Sequence, residues 1–115
     1  MNLKTSRIIY FTNKMTTMNK FYGETLGLAP IENKLGDPSG FCEFDAGSCT
    51  IALHKGSAGI PASRNKIVFH SDNVNKTREE LISRGAKMGK VFGSDKLHLC
   101  DGTDPEGNKF QISNR

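Results

Sequence analysis

Imidazoles, carboxylates and thiolates hold metals and move protons, so their placement comes first. The chain has three histidines, His54, His70 and His98. With a carboxylate such as Glu43 in the same cavity they would make a credible metal site, but their spacings match no local ligand motif. The three cysteines, Cys42, Cys49 and Cys100, form no CxxC pair. An odd count without such a pair argues against a disulfide framework or a structural zinc site, and it suits small apolar side chains in a reducing compartment. No nucleophile, base and acid stand at a legible triad spacing. None of the glycines falls in the frame that cradles phosphate. No catalytic residue is assigned on these grounds.

The elements that must position these groups can be read along the chain. Arg7-Ile8-Ile9-Tyr10-Phe11 is a run of β-formers and reads as a buried strand. Thr12 and Asn13 are candidate helix caps. Met15, Met18, Phe21, Tyr22 and Leu26 then recur at helical steps, and Gly27 closes the helix. Strands are expected over residues 29–34, 41–45 and 49–54, with turns at 36–40 and 46–48. Residues 55–65, rich in Gly, Ser, Ala and Pro, read as a linker.

After that linker the order repeats. Lys66-Ile67-Val68-Phe69-His70 is strand-like, and Ser71, Asp72 and Asn73 offer caps. Val74, Thr77, Leu81 and Ile82 form a helical stripe ended by Gly85. Strands are expected over 87–92, 96–100 and 108–113, with residues 101–107 as a tight turn before the last. Laying Arg7 on Lys66 places Ile8, Ile9 and Tyr10 on Ile67, Val68 and Phe69, and Met15 on Val74. The pattern is βαβββ twice, and a repeat of this kind outweighs any single motif in deciding the fold. The expectation is one α+β domain over residues 1–115, with modules at about 6–54 and 66–113. The two modules form a curved mixed sheet around a cup, with the helices on the outer face. By strand alternation Arg7, Ile9 and Phe11 share the cup face, as do Lys66, Val68 and His70. Counting along the fourth strand from Ala52 adds His54. The facing of Glu43 and His98, on middle strands, is left open by alternation alone.

Composition bounds the partners. Hydrophobic residues are 36% and charged residues 24% of the chain, a globular balance. No apolar run approaches the ~20 residues of a membrane-spanning helix, and the polar residues 1–6 hold no signal-peptide core. A cytoplasmic location is therefore expected, with no membrane partner. The net charge is +4, but the basic residues are scattered and there is no Trp to stack on bases, so no nucleic-acid partner is expected.

Two motifs at opposite ends of the repeat carry a family resemblance. Phe21-Tyr22-Gly23-Glu24-Thr25-Leu26-Gly27-Leu28 is similar to the FYxxxLG(L/F) segment that closes the first helix in the vicinal oxygen chelate superfamily of glyoxalases, bleomycin resistance proteins and extradiol dioxygenases. Asp104-Pro105-Glu106-Gly107-Asn108 and the strand after it resemble the DPDGNxxEL hairpin of the same superfamily. Residues 40–45 and 50–54 are similar to the paired strands that end its first module, so the resemblance spans about residues 7–113.

The resemblance implies a metal held by His, Glu or Gln at the start of each module's first strand and the middle of its last. On this chain those positions are Arg7, Lys66, Ala52 and Gln111. A guanidinium has no lone pair to donate, an ammonium must first lose a proton, and a methyl group offers nothing. Gln111 alone cannot hold a divalent ion against water, so neither a metal nor another cofactor is expected. Two cations facing one cup invite a negative group between them. An anionic ligand would supply it; pairing with Glu43, Asp45 or other acids would serve equally. The function expected is metal-independent binding of a small molecule, anionic on the first of those solutions. Ile9, Phe11, Phe41 and Val68 would supply walls, and Arg7, Lys66, His54, His70 and Gln111 polar contacts. The alternative is a lyase, isomerase or dioxygenase of the same superfamily with a displaced or absent metal site. The resemblance further implies a homodimer.

Overall fold

The β-formers at the start of the chain build the first strand, β1 (Arg7–Thr12), in the computed structural model, which describes residues 1–32 and 39–115. Its side chains alternate as a pleated strand requires: Tyr10 and Thr12 are buried, and Arg7, Ile9 and Phe11 are exposed. The chain then turns into α1 (Met15–Lys20), whose N-cap position is Lys14 rather than the expected Thr12 or Asn13. Thr12 contributes indirectly, since its Oγ1 accepts the Lys14 N–H at 2.9 Å. The helix widens into a π-helical turn over Phe21–Thr25, in which the adjacent Phe21 and Tyr22 are both buried. Gly27, at φ 73°, reverses the chain in the left-handed region open to glycine.

Three further strands complete this half: β2 (Ala29–Ile31), β3 (Phe41–Asp45) and β4 (Thr50–Lys55). They join in the order β1-β4-β3-β2, with β1 and β4 parallel and the other pairs antiparallel. The expected end of the second strand at 33–34 and most of the expected turn at 36–40 lie outside the described residues. Met18, Tyr22, Phe44, Ile51 and Leu53 are essentially inaccessible. Burial of each such side chain is worth about 1.5–3 kcal/mol. Tyr22 is central, its ring 6.3 Å from Tyr10, 5.2 Å from Phe21 and 6.5 Å from Phe44.

The second half repeats the plan with its second strand broken in two. Its elements are β5 (Ile67–His70), α2 (Val74–Ser83), β6 (Lys87–Met88), β7 (Phe92–Gly93), β8 (His98–Thr103) and β9 (Lys109–Ser113). The sheet runs β5-β9-β8-β6, with β7 also on β8, and β5 is parallel to β9. Asn73 caps α2 as expected, its side chain accepting the Lys76 N–H at 3.0 Å. The chain divides into two compact units, Met1–Pro61 and Ala62–Arg115, within the stretch read as a linker.

Two expectations are corrected here. The strand read over 87–92 is interrupted after Met88, where the Arg78 Nε–H and the Cys100 thiol both donate to the Gly89 carbonyl, at 2.7 and 3.3 Å. The strand read over 96–100 runs on to Thr103, so 101–103 are ladder rather than turn. Asp101-Gly102-Thr103 has turn composition, but Gly102 serves close packing: a Cβ there would lie 2.5 Å from the Phe110 ring and 2.6 Å from Met88 Sδ. The turn itself is organised by Asp104, whose Oδ1 accepts the Glu106 and Asn108 backbone N–H groups, both at 2.9 Å. Gly107, at φ 84°, supplies the left-handed residue.

Gly102→Ala should lower stability by about 1–3 kcal/mol, because Phe110 is buried and cannot yield freely. A urea-denaturation midpoint unchanged by the substitution would show that the sheet has room there.

Candidate functional site

Each unit buries one sheet face under its own helix and leaves functional side chains on the other. In the first unit the ladder puts Arg7, Ile9 and Phe11 of β1 beside Thr50, Ala52 and His54 of β4. Across the next pair, Phe41, Glu43 and Asp45 of β3 face His54, Ala52 and Thr50. Glu43, whose facing alternation alone left open, therefore shares the Arg7 face. The two meet in an ion pair: Arg7 Nε donates to Glu43 Oε2 at 2.7 Å and Nη2 to Oε1 at 3.3 Å. The Thr50 hydroxyl also donates to Glu43 Oε2. The Arg7 hydrogen bonds first, and that of Thr50 next, hold the Glu43 carboxyl below the usual glutamate range against the opposing effect of desolvation.

The rest of this face is apolar and aromatic. Ile9 is 42% and Phe11 53% exposed. The His54 ring stands edge-on to Phe11 at 5.4 Å and to Phe41 at 6.0 Å. Phe41 also carries the Arg7 guanidinium 5.8 Å from its ring centre. His54 Nδ1 lies 2.9 Å from the Lys55 carbonyl oxygen, which can only accept, so the proton is on Nδ1. In the neutral form of that tautomer Nε2 keeps its lone pair.

The second unit has a parallel arrangement in different chemistry. The ladder sets Val68 beside Gln111, and Gln111 beside Asp101. Lys66 Nζ donates to Asp101 Oδ1 at 3.2 Å, and Gln111 Nε2 donates to the same oxygen at 3.0 Å. Val68 is exposed, whereas Gln111 is buried. His70 stands at the exposed end of β5 with Nε2 3.0 Å from Asp72 Oδ1. His98 is placed by the ladder on the opposite face, in step with Cys100.

A metal does not fit these positions. Arg7 and Lys66 are cations already bound to carboxylates, Ala52 is buried and without a donor, and the amide oxygen of Gln111 is left as a single neutral ligand. No cluster of three His, Cys, Asp or Glu suited to a metal occurs among the described residues. Thiolate chemistry is no better served, because burial raises the Cys42 and Cys100 thiols above their ordinary value. The sequence reading missed Asp101 and Thr50. The overlay of Arg7 on Lys66 puts Glu43 on Gly102, one residue from its structural counterpart, so the matching acids were hidden by hairpins of different length.

Comparison with known proteins adds to this geometry. The family model of the glyoxalase-like domain matches residues 8–113. No curated protein matches the chain. Among similar solved structures, TnmS3, an antibiotic binding protein from a Streptomyces species, aligns with a TM-score of 0.79 at 15% identity, covering 96% of this chain and 94% of that one. The fosfomycin resistance protein FosX from Mesorhizobium loti aligns at 0.76 and 14%, covering 100% and 94%. A lactoylglutathione lyase from Agrobacterium tumefaciens aligns at 0.73 and 14%, covering 94% and 90%. At such identities the likeness is one of fold. No helix among the described residues is long and apolar enough to cross a membrane.

The Arg7–Glu43 pair makes acid stability testable. The folded carboxyl is held below its unfolded value of about 4.3, so its contribution is present above that value and is lost as pH falls through the lower folded one. Between about pH 5 and pH 2 the urea midpoint should fall more steeply for the unaltered chain than for Glu43→Gln. Equal slopes would show that Arg7 does not hold the carboxylate.

Proposed function

Because the chain belongs to the glyoxalase-like domain family, we propose that it is a metal-independent binder of small, largely apolar molecules. One observation carries the reading: the first unit exposes Ile9 and Phe11 on a sheet face beside the rings of Phe41 and His54, while the adjacent cation is already neutralised by Glu43. Exposed apolar side chains gathered on one face, with a few polar groups at the margin, suit a ligand. His54 Nε2 supplies one acceptor for a ligand N–H or O–H. The charge that invited an anion at Arg7 is taken up by the carboxylate, so this face selects an uncharged molecule. Similar folds that serve an antibiotic binding protein and a fosfomycin resistance protein support small-molecule binding. Under the same reading the modules work as one domain, in a cytoplasmic homodimer of the kind the superfamily resemblance implies.

An enzyme of the lyase, isomerase or dioxygenase kind is less well supported. A displaced metal in the first unit would draw on His54 and Glu43, and Glu43 is committed to Arg7 and Thr50.

The test uses the neutral fluorescent probe N-phenyl-1-naphthylamine. Saturable binding is expected to survive dialysis against EDTA and to weaken on the order of tenfold in Phe11→Ala, the loss of one aromatic contact. The sulfonated analogue should bind this face no more tightly. Loss of binding on chelation, or indifference to Phe11→Ala, would overturn the proposal.

A further inference from the structure

We propose that the second unit carries its own groove for an amphipathic anion, an aliphatic chain ending in a carboxylate. The groove is open and shallow, about 610 Å³ in volume, along the edge of the sheet near β6. One part of it is apolar, lined by Ile82, Ala86 and Met88. Ile82 belongs by spacing to the buried stripe of α2, yet it is 43% exposed, and the groove is what it faces. Gly89 and Gly102 leave backbone in the wall. At Gly89 a Cβ would approach only the Asp101 carbonyl, at 3.5 Å, so the surface there is open. Arg78 and Cys100 both donate to the Gly89 carbonyl, which fixes this wall in place.

The other part of the groove is cationic. Lys87 of β6 faces Thr103 of β8, and Thr103 faces Lys109 of β9. The three therefore stand in one row on one face, with the lysines about 10 Å apart across two inter-strand spacings. Both lysines line the groove, and among the described residues neither ammonium has an ion-pair or hydrogen-bond partner. Asp101, the acid that also lines the groove, is engaged by Lys66 and Gln111. Two long, flexible ammonium groups with a hydroxyl between them can close on one carboxylate, the charge-assisted contact that an unpartnered pair of lysines lacks. Met88 alternates to the helix-covered side of β6, where Ile82 of α2 also lies, so the chain of the same molecule would pass round the open β6 edge to reach the aliphatic part of the groove. This cationic row makes the groove's chemistry different from that of the neutralised Arg7 face.

The test titrates decanoate into the isotopically labelled full chain and follows backbone amide resonances. Saturable shifts are expected at Gly89, Gly102 and Thr103, weakening with added salt. The uncharged decanamide should bind on the order of tenfold more weakly, as should decanoate to the Lys87→Gln/Lys109→Gln variant. Ile82→Ser, a change at an exposed helix position, should weaken decanoate and leave the fold intact, as judged by unshifted amide resonances of β5 and β9 in the same unit. Equal affinity for decanoate and decanamide, shifts that do not saturate, or shifts confined to Ile9 and Phe11 would each overturn the proposal. So would concentration-dependent shifts at the groove without decanoate, which would assign it to self-association.

Discussion

A guanidinium and a carboxylate on the same sheet face, in step across neighbouring strands, will find each other, and once they have done so neither is free for other work. The Arg7–Glu43 pair is that contact in the first unit, tightened by the Thr50 hydroxyl. It lies where the resemblance would place a metal ligand, and it is a closed electrostatic contact. Partial exposure of Arg7 keeps the pair screened, so it matters less as a source of stability than as a statement of what the face can bind.

The second unit reaches the same end with different residues. Lys66 substitutes for the arginine, Asp101 for the glutamate, and the Gln111 amide stands opposite Asp101 where the first unit has Ala52 opposite Glu43. A compact ammonium makes a single contact where the guanidinium makes two. Both modules thus pair a first-strand cation with a middle-strand acid, which is how a duplicated fold can keep its geometry while its binding chemistry changes.

Much of this was legible because strand alternation is strict. Arg7, Ile9 and Phe11 were placed on one face from spacing alone, and the ladder puts them there together with His54. Glu43 could not be placed, because the facing of a middle strand depends on which residues pair with β4, and pairing is non-local. Asp101 was read as turn because its neighbours are Gly, Thr and Asp; the packing of Gly102 against Phe110 and Met88 overrides that composition. The π-helical turn over Phe21–Thr25 leaves the three- and four-residue pattern intact, so spacing had no means of revealing it. Ile82 fits the core stripe by position, and only the course of the chain around the β6 edge leaves it exposed.

The central claim is that these side chains do not coordinate a divalent ion, and elemental analysis of the chain purified without chelators tests it most directly. The account predicts no transition metal at stoichiometric occupancy. One equivalent of zinc, nickel, iron or manganese per chain, retained through gel filtration and lost on changing His54 or Glu43, would contradict it.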